Sequence, residues 1–243
     1  MKNPNGPYPG RQIFLGKTAQ GNPAFAYLVT GRSPASRARR ATIRGNSIIM
    51  GPIDSSDYDW LRHYTAIKHD NNIGLLVVSN GIQTEAIFEL FRLLYHTATK
   101  PDRSYLKKVM DGANYEPDNL ETPRIAGVIT NPPSSSMPVF LLSIKVARKP
   151  AFTWRVKPAA GEFYGISTYE GDIENPKPYN PGKGPSTIMV MASRPKELAE
   201  TMFELTKEEY KGDDIRVSAI AGIRDDDNVT WKLAHINRHG EKK

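Results

Sequence analysis

The chain has 243 residues, 39% of them hydrophobic and 24% charged, with no cysteine and a formal net charge of +7. The lack of cysteine excludes disulfides, thiolate metal sites and cysteine nucleophiles. No apolar run approaches the roughly 20 residues of a membrane helix, and residues 1–7 lack the apolar core of a signal peptide. We therefore expect a cytoplasmic protein with no membrane partner.

Much of the positive charge lies in one stretch, which favours an anionic partner. This stretch contains Arg32, Arg37, Arg39, Arg40 and Arg44. A phosphorylated metabolite needs only two or three arginines, and the chain has no recognised nucleic-acid-binding motif. A small phosphorylated ligand is therefore favoured over nucleic acid.

Short apolar runs rich in β-branched residues predict a strand-dominated protein. The predicted strands span residues 12–16, 24–29, 47–53, 64–68, 73–79, 124–130, 139–146, 152–156, 163–168, 217–223 and 229–236. Polar segments at residues 17–22, 69–72 and 225–228 separate neighbouring runs and predict three hairpin turns.

Three helices are predicted, at residues 84–97, 103–110 and 195–210. In the first, apolar residues recur at the spacing of one buried helix face, namely Ile87, Leu90, Phe91 and Leu94. Thr84 is its predicted N-cap, and Pro195 suits the first turn of the last helix.

Two proline-rich segments, residues 131–138 and 171–185, predict surface loops or lids. Neither is expected to be a linker, because strands resume on both sides without a change in composition. Many antiparallel strands with few helices predict one α+β domain over residues 1–243.

The strongest candidate for chemistry is the polar segment at residues 114–123, which runs into the predicted strand at 124–130. Pro117 and Pro123 stiffen this segment, and stiff polar segments on buried strands are suited to hold site residues. Glu116 is the best general acid–base candidate, since partial burial would raise its pKa toward neutrality. Alternatively, the acids of this segment solvate a turn or pair with Arg124.

A second candidate follows the predicted strand at residues 24–29. Arg32, Ser33 and Arg37 occupy a loop in which guanidinium groups, hydroxyls and backbone amides could cradle a phosphate. It is not a P-loop, because the Gly-Lys-Ser/Thr ending is missing. The alternative is a solvated basic turn.

Weaker candidates lie at the ends of other predicted strands. Arg11 could point into a site or lie on a surface turn. Asn80 precedes a helix start that could bind an anion or a base edge, or that forms an ordinary turn. Tyr169 and Glu170 end another strand, where the alternative is aromatic packing. The five histidines show no metal-ligand spacing, so we predict no metal. The sequence contains no Gly-x-Ser-x-Gly elbow, so we do not expect a serine hydrolase of that kind.

Taken in order, these segments resemble archaeal-type IMP cyclohydrolase and its bacterial relatives. The matching pieces are Gly10-Arg11, the turn at residues 16–22 with Ala26-Tyr27, Arg32-Ser33 with Arg37, Tyr64, Ser79-Asn80-Gly81 with Thr84, Tyr115-Glu116 with Asp118, Thr122-Pro123-Arg124-Ile125-Ala126, and Ile166-Ser167-Thr168-Tyr169-Glu170. One departure is Pro34-Ala35-Ser36, where the archaeal pattern has Phe-Pro-Asn.

The resemblance implies a four-layer αββα sandwich like that of N-terminal-nucleophile hydrolases, without an N-terminal nucleophile. It implies ring closure of 5-formamidoimidazole-4-carboxamide ribotide (FAICAR) to IMP, the last step of purine nucleotide biosynthesis, with no cofactor or metal. It also implies a homo-oligomer. Because the carboxamide nitrogen attacks the formyl carbon of the same molecule, holding the reactive rotamer would supply much of the catalysis.

The resemblance also implies roles for individual residues. The expected catalytic residues are Arg37, Tyr64 and Glu116. The expected substrate-binding residues are Arg11, Arg32, Ser33, Asn80, Thr122, Arg124, Tyr169 and Glu170. Within these sets, Arg32, Ser33 and Arg37 would bind the phosphate or nearby negative charge. Tyr64 and Glu116 would transfer protons and polarise the formyl oxygen.

Two other functions are consistent with the same residues. A related enzyme, such as an amide hydrolase, could act on another phosphorylated substrate in this pocket, because a fold does not determine a function. A non-enzymatic nucleotide or RNA binder could use the basic stretch at residues 32–44, and it would show steeply salt-dependent binding to polynucleotides.

Overall fold

The computed structural model describes residues 3–54, 59–133, 135, 137–225 and 229–239. Its strands are β1 (Arg11–Lys17), β2 (Pro23–Thr30), β3 (Arg39–Arg44), β4 (Ser47–Pro52), β5 (Tyr64–Asp70), β6 (Leu75–Ser79), β7 (Arg124–Thr130), β8 (Val139–Lys145), β9 (Phe152–Val156), β10 (Glu162–Ser167), β11 (Tyr169–Glu170), β12 (Lys177–Pro178), β13 (Ser186–Met189), β14 (Glu209–Tyr210), β15 (Asp213–Asp214), β16 (Arg216–Asp225) and β17 (Thr230–Asn237). Its helices are α1 (Pro34–Arg37), α2 (Gln83–His96), α3 (Arg103–Ala113) and α4 (Pro195–Leu205), with a 3₁₀ turn at Pro181–Lys183.

Two large antiparallel sheets contain most of the strands. One has six strands in the order β13-β10-β1-β2-β16-β17, and the other has seven in the order β3-β4-β5-β6-β7-β8-β9. Two short pairs, β11–β12 and β14–β15, lie outside them. The chain is therefore a mixed α and β protein with antiparallel sheets and few helices, as its sequence predicted.

The main core lies between the two large sheets, because each sheet contributes one apolar face to it. Ile13 and Tyr27 of the six-stranded sheet share a buried cluster with Leu76 and Ile129 of the seven-stranded sheet. Successive residues of a strand point to opposite faces, so Phe14, next to Ile13, belongs to a separate cluster on the other face of its sheet. Burial of each large apolar side chain contributes about 1.5–3 kcal/mol.

Helices cover the faces of the two sheets that point away from this core. Leu198 and Met202 of α4 pack in one cluster with Phe14 of the six-stranded sheet. Phe91 of α2 and Leu106 of α3 pack in another cluster with strands β6, β7 and β8. No helix in the described ranges is long and apolar enough to cross a membrane.

The predicted apolar face of α2 is confirmed for Ile87, Phe91 and Leu94, which are buried, whereas Leu90 is only half-buried at the edge of the same cluster. The prediction that Thr84 caps this helix is wrong. The helix begins one residue earlier, at Gln83, after a cap position whose side chain makes no capping hydrogen bond. The Thr84 hydroxyl instead donates to the Gly81 carbonyl oxygen at 3.1 Å.

The last helix begins at Pro195 as predicted, but it ends at Leu205 rather than residue 210. The residues that follow do not continue the helix: Glu209–Tyr210 pairs with Asp213–Asp214 as a short antiparallel ladder. The predicted helix at residues 103–110 also forms, and it continues to Ala113.

The three predicted hairpins are β1–β2, β5–β6 and β16–β17, whose strands pair as expected. In the third hairpin, turn residues 226–228 lie outside the described residues. The prediction missed the edge strands β3 and β13. Strand β3 was hidden because its alternation places arginine inside: Arg39 is buried, whereas the neighbouring Arg40 is only half-buried.

Candidate active site

A cavity of about 430 Å³ gathers residues from several segments that are distant in sequence. It is lined by Tyr8, Arg11, Arg32, Ser33, Ser36, Arg39, Asp59, Leu61, Arg62, Glu116, Asp118, Leu120, Thr122 and Tyr169. Six of the residues predicted from the sequence are in this lining, namely Arg11, Arg32, Ser33, Glu116, Thr122 and Tyr169. A larger cavity of about 580 Å³, beside the end of α4, contains none of them.

Glu116 is the buried carboxylate of this cavity, with only 2% of its surface exposed. Its Oε1 atom accepts a short hydrogen bond from Arg11 Nη2 and a second one from Asn80 Nδ2 at 3.0 Å. Arg124 Nη1 lies 3.9 Å from the same oxygen. Burial raises the pKa of Glu116 above its ordinary value of 4.5, although the charges of Arg11 and Arg124 oppose that rise. No residue in the described ranges donates to Oε2, so this oxygen is available to a ligand.

Asn80, which directly follows β6, fixes the Glu116 carboxylate from the side away from the cavity. Its Oδ1 atom accepts from the Ile125 backbone N–H at 2.7 Å, and its Nδ2 donates to the Pro123 carbonyl oxygen at 2.9 Å. Arg124 Nη1 donates to Gln83 Oε1 at 3.2 Å. These bonds connect β6, β7 and the start of α2, so Asn80 and Arg124 support Glu116 from outside the lining.

A relay of hydroxyl groups forms another part of the wall. The Thr122 hydroxyl donates to Asp118 Oδ2 at 2.5 Å, and the Tyr169 hydroxyl forms a short hydrogen bond with Thr122 Oγ1. Since Thr122 uses its proton toward Asp118, Tyr169 is the donor in the second bond. Burial raises the pKa of Tyr169 to about 12, which keeps that donor proton in place. The ring of Tyr8 stacks on Tyr169 with centroids 5.8 Å apart.

The arginines of the basic loop occupy different positions relative to the cavity. Arg32 Nη1 donates to the backbone carbonyl oxygens of Ile173 and Glu174, at 3.0 and 2.8 Å. It therefore ties the cavity to the segment at residues 171–185. Arg37 lies outside the lining: its Nη2 donates to Asp213 Oδ2 at 2.5 Å, and its Nη1 donates to the Arg32 carbonyl oxygen at 2.9 Å.

Tyr64 and Glu170 also lie outside the lining of this cavity. Glu170 faces a neighbouring surface cavity, where Lys183 Nζ lies 3.1 Å from its carboxylate. Tyr64 lies near the guanidinium groups of Arg11 and Arg124. Its hydroxyl is 2.7 Å from the Tyr27 hydroxyl, and this bond joins the two large sheets.

Tyr27→Phe tests the bond between the two hydroxyls. Burial and the neighbouring Tyr64 raise the pKa of Tyr27 well above its ordinary value, so Tyr27 keeps its proton and the bond joins two neutral hydroxyls. Loss of a buried partner costs about 1–3 kcal/mol, and we expect that loss in the free energy of unfolding measured with urea. Tyr105→Phe, at a half-buried tyrosine packed on the helical side of the core, is the control. An equal effect of the two substitutions would contradict the prediction.

Gly10 allows the backbone to pass close to Tyr169 just before Arg11. Its φ is +67°, and a Cβ atom there would lie 2.3 Å from Thr168 Oγ1 and 2.7 Å from Tyr169 Cδ2. We expect Gly10→Ala to lower the free energy of unfolding by more than about 1 kcal/mol, because alanine disfavours this φ and the clash displaces the wall. Chemical denaturation measures this, with Gly112→Ala as control. Gly112 is exposed within α3 with nothing near its Cβ position, so alanine should stabilise there.

The comparison with known families matches this site to a single description. A sequence model of the family described as "IMP cyclohydrolase-like protein" matches residues 8–228, a span that includes every lining residue of the cavity. The chain belongs to this family. The family resemblance predicted from the sequence motifs is therefore confirmed.

Archaeal relatives of this IMP cyclohydrolase-like protein have the name IMP cyclohydrolase. The protein of Methanocaldococcus jannaschii is 33% identical over 123 residues, which cover 50% of this chain and 56% of that protein. The protein of Methanococcus maripaludis is 28% identical over 165 residues, covering 67% and 75%. The protein of Thermococcus kodakarensis is 26% identical over 198 residues, covering 82% and 86%.

Sequence reasoning missed several lining residues of this IMP cyclohydrolase-like protein. Asp118 is part of a motif that carries the family resemblance, and Tyr8 stands two residues before the Gly10-Arg11 motif, so both had a local signal. Arg39 belonged to the basic stretch, where nothing local distinguished it from its neighbours. Asp59 and Arg62, which form an ion pair of 2.6 Å, lie between predicted strands and carried no motif at all.

Proposed function

We propose that this protein is an IMP cyclohydrolase that closes FAICAR to IMP. The observation that carries the proposal is Glu116, a buried carboxylate fixed by Arg11 and Asn80 on the wall of a cavity rich in arginine. Family membership supports the same reaction. A volume of about 430 Å³ is within the size range of small-molecule sites.

The reaction requires proton transfer and orientation. The carboxamide nitrogen bonds to the formyl carbon, two protons pass from the two nitrogens to the former formyl oxygen, and the carbon–oxygen bond then breaks to release water. Glu116 would take a proton from the carboxamide nitrogen and return it to the departing oxygen. Since Oε1 is already held by two donors, Oε2 is the oxygen assigned to this transfer.

The remaining residues have proposed roles in binding and charge stabilisation. Arg32 and Ser33 bind the phosphate or nearby negative charge, and Arg37 supports their loop through its bond to the Arg32 carbonyl oxygen. Tyr64, which lies behind the lining, polarises the formyl oxygen. Asn80, Thr122 and Arg124 hold the heterocycle or the ribose, directly or through Glu116. The wall or its support is formed by Arg11, Tyr169 and Glu170.

The proposed architecture is a single domain with the four-layer αββα arrangement of N-terminal-nucleophile hydrolases, without their nucleophile. The placement of α4 on one sheet and of α2 and α3 on the other supports it. We also propose a cytoplasmic location and a homo-oligomer, and no cofactor or metal in the reaction. These proposals follow the family resemblance.

The test is the absorbance change when the purified protein is mixed with FAICAR. Catalysed formation of IMP, identified by chromatography, is the expected result. Specific binding of IMP without turnover would overturn the cyclohydrolase assignment and favour a related enzyme that uses the same cavity. Salt-dependent binding to polynucleotides in place of IMP would favour the nucleic-acid binder instead.

A further inference from the structure

Arg39 is as deeply buried as Glu116 in the cavity lining, with 2% of its surface exposed. It enters the site from β3, whose alternation turns Arg39 inward and Arg40 to the opposite face. Its Nε donates to the Ser36 carbonyl oxygen at 2.9 Å. Its Nη1 is enclosed and has no hydrogen-bond partner among the described residues.

The other arginines of the lining differ from Arg39 because each has a carboxylate partner or two carbonyl acceptors. Arg11 pairs with the Glu116 carboxylate, and Arg62 pairs with Asp59 at 2.6 Å. Arg32 is held by two backbone carbonyl oxygens. Within the described part of the chain, Arg39 alone in this lining has neither a carboxylate partner nor a second acceptor.

A buried guanidinium without a counter-charge is unfavourable for the folded protein. The penalty is relieved when a ligand brings negative charge and acceptor oxygens to it. A phosphate monoester supplies both, and an arginine fork matches its oxygens. Ser33 and Ser36 lie in the same lining, where the Ser33 hydroxyl donates to Ser36 Oγ at 3.0 Å and the Ser36 hydroxyl donates to the Ser33 carbonyl oxygen at 2.9 Å.

We propose that Arg39 is the residue that selects the phosphate monoester of the substrate, and therefore distinguishes a nucleotide from its nucleoside. This deepens the proposed function and rests on it, because it names the part of a nucleoside monophosphate that this wall recognises. Arg37 is less suited to the same task, because Asp213 already neutralises its guanidinium. Arg39 thus provides the charge that the basic loop was expected to supply.

The experiment compares Arg39→Met with Arg40→Met, its neighbour on the opposite face of β3. Affinities for IMP and for inosine are measured by calorimetry, together with FAICAR turnover. In Arg39→Met we expect IMP to bind about 10- to 100-fold more weakly, the size of a lost charged hydrogen bond, with inosine affinity unchanged. Arg40→Met should keep the IMP-to-inosine ratio of the wild type.

Thermal unfolding without ligand separates this role from a structural one. Arg39 has no counter-charge among the described residues, and replacing buried charge by an apolar side chain of similar size is often neutral or stabilising. Arg39→Met should therefore unfold at the same or a higher temperature. IMP should raise the unfolding temperature of the wild type more than that of the variant. A lower ligand-free unfolding temperature with an unchanged IMP-to-inosine ratio would mean that Arg39 has a structural partner, and would overturn the inference.

The experiment distinguishes failure of the cyclohydrolase assignment from failure of the role proposed for Arg39. Turnover of FAICAR with an unchanged ligand ratio in Arg39→Met would keep the cyclohydrolase and overturn the role of Arg39. Absence of turnover, with a ratio that collapses in Arg39→Met, would overturn the reaction and keep the phosphate site.

Discussion

Glu116→Gln is expected to lower FAICAR turnover by about 100- to 10,000-fold, the usual contribution of a positioned acid–base group. Glutamine keeps the shape of the side chain and an acceptor oxygen for Arg11 and Asn80, so the variant should still bind IMP, although it loses stability because Arg11 no longer faces a carboxylate. It loses the ability to take a proton at Oε2. Steady-state kinetics with FAICAR, together with calorimetric binding of IMP, separate these two effects.

Glu121→Gln is the matched control for this prediction. Glu121 belongs to the same polar segment, but its carboxylate pairs with Arg148, an exposed side chain, at 2.8 Å. Its substitution should leave turnover near that of the wild type. If Glu116→Gln retained turnover within a few-fold of the control, Glu116 would have no role in proton transfer.

The pH dependence of turnover provides a second measure of the same residue. Burial raises the pKa of Glu116 above 4.5, and the assigned role needs the carboxylate form. Turnover of the wild type should therefore fall as the pH is lowered, with a midpoint above 4.5. In Glu116→Gln, the residual rate should lack this acidic limb, whereas Glu121→Gln should retain it.

The sequence predicted the strand-dominated class and six lining residues because those features have local signals. Short apolar runs identify strands β5 and β7, and the stiff polar segment before β7 draws attention to Glu116. The cavity itself depends on contacts between distant segments, which no window of sequence contains. Arg11 and Glu116 are separated by 105 positions, and their pairing required β1 and β7 to lie in two facing sheets.

The basic stretch illustrates what local composition leaves undetermined. Arg32, Arg37 and Arg39 have the same side chain within eight positions of each other, yet they make three different sets of contacts. Arg32 holds backbone carbonyl groups, Arg37 pairs with Asp213, and Arg39 is buried in the lining. The difference arises because a short helix ends at Arg37 and an edge strand begins at Arg39. Charge counting can identify such a stretch, but it cannot assign the ligand contact within it.

Arg11→Met is expected to destabilise the protein by about 3–5 kcal/mol, the cost of breaking a buried ion pair from one side. The Arg11 and Glu116 side chains are only 11% and 3% exposed. Without Arg11, the Glu116 carboxylate keeps Asn80 and the more distant Arg124, which do not replace the lost charge-assisted bond. Urea unfolding near neutral pH measures the loss. The control, Arg92→Met, removes an exposed pair with Glu89 and should cost less than about 1 kcal/mol.

The destabilisation by Arg11→Met should also depend on pH in a defined direction. Loss of the positive charge raises the folded-state pKa of Glu116 further above its unfolded value. A carboxyl group with a raised folded-state pKa costs no stability below its unfolded pKa, and it becomes destabilising as the pH rises through the folded-state value. The loss in free energy of unfolding should therefore shrink in acid and grow toward neutral pH.

Adding Glu116→Gln to Arg11→Met should remove both most of this loss and its pH dependence, because neither residue of the pair then carries a charge. A deficit that the second substitution leaves unchanged would mean that Arg11 stabilises the fold by packing rather than through its charge.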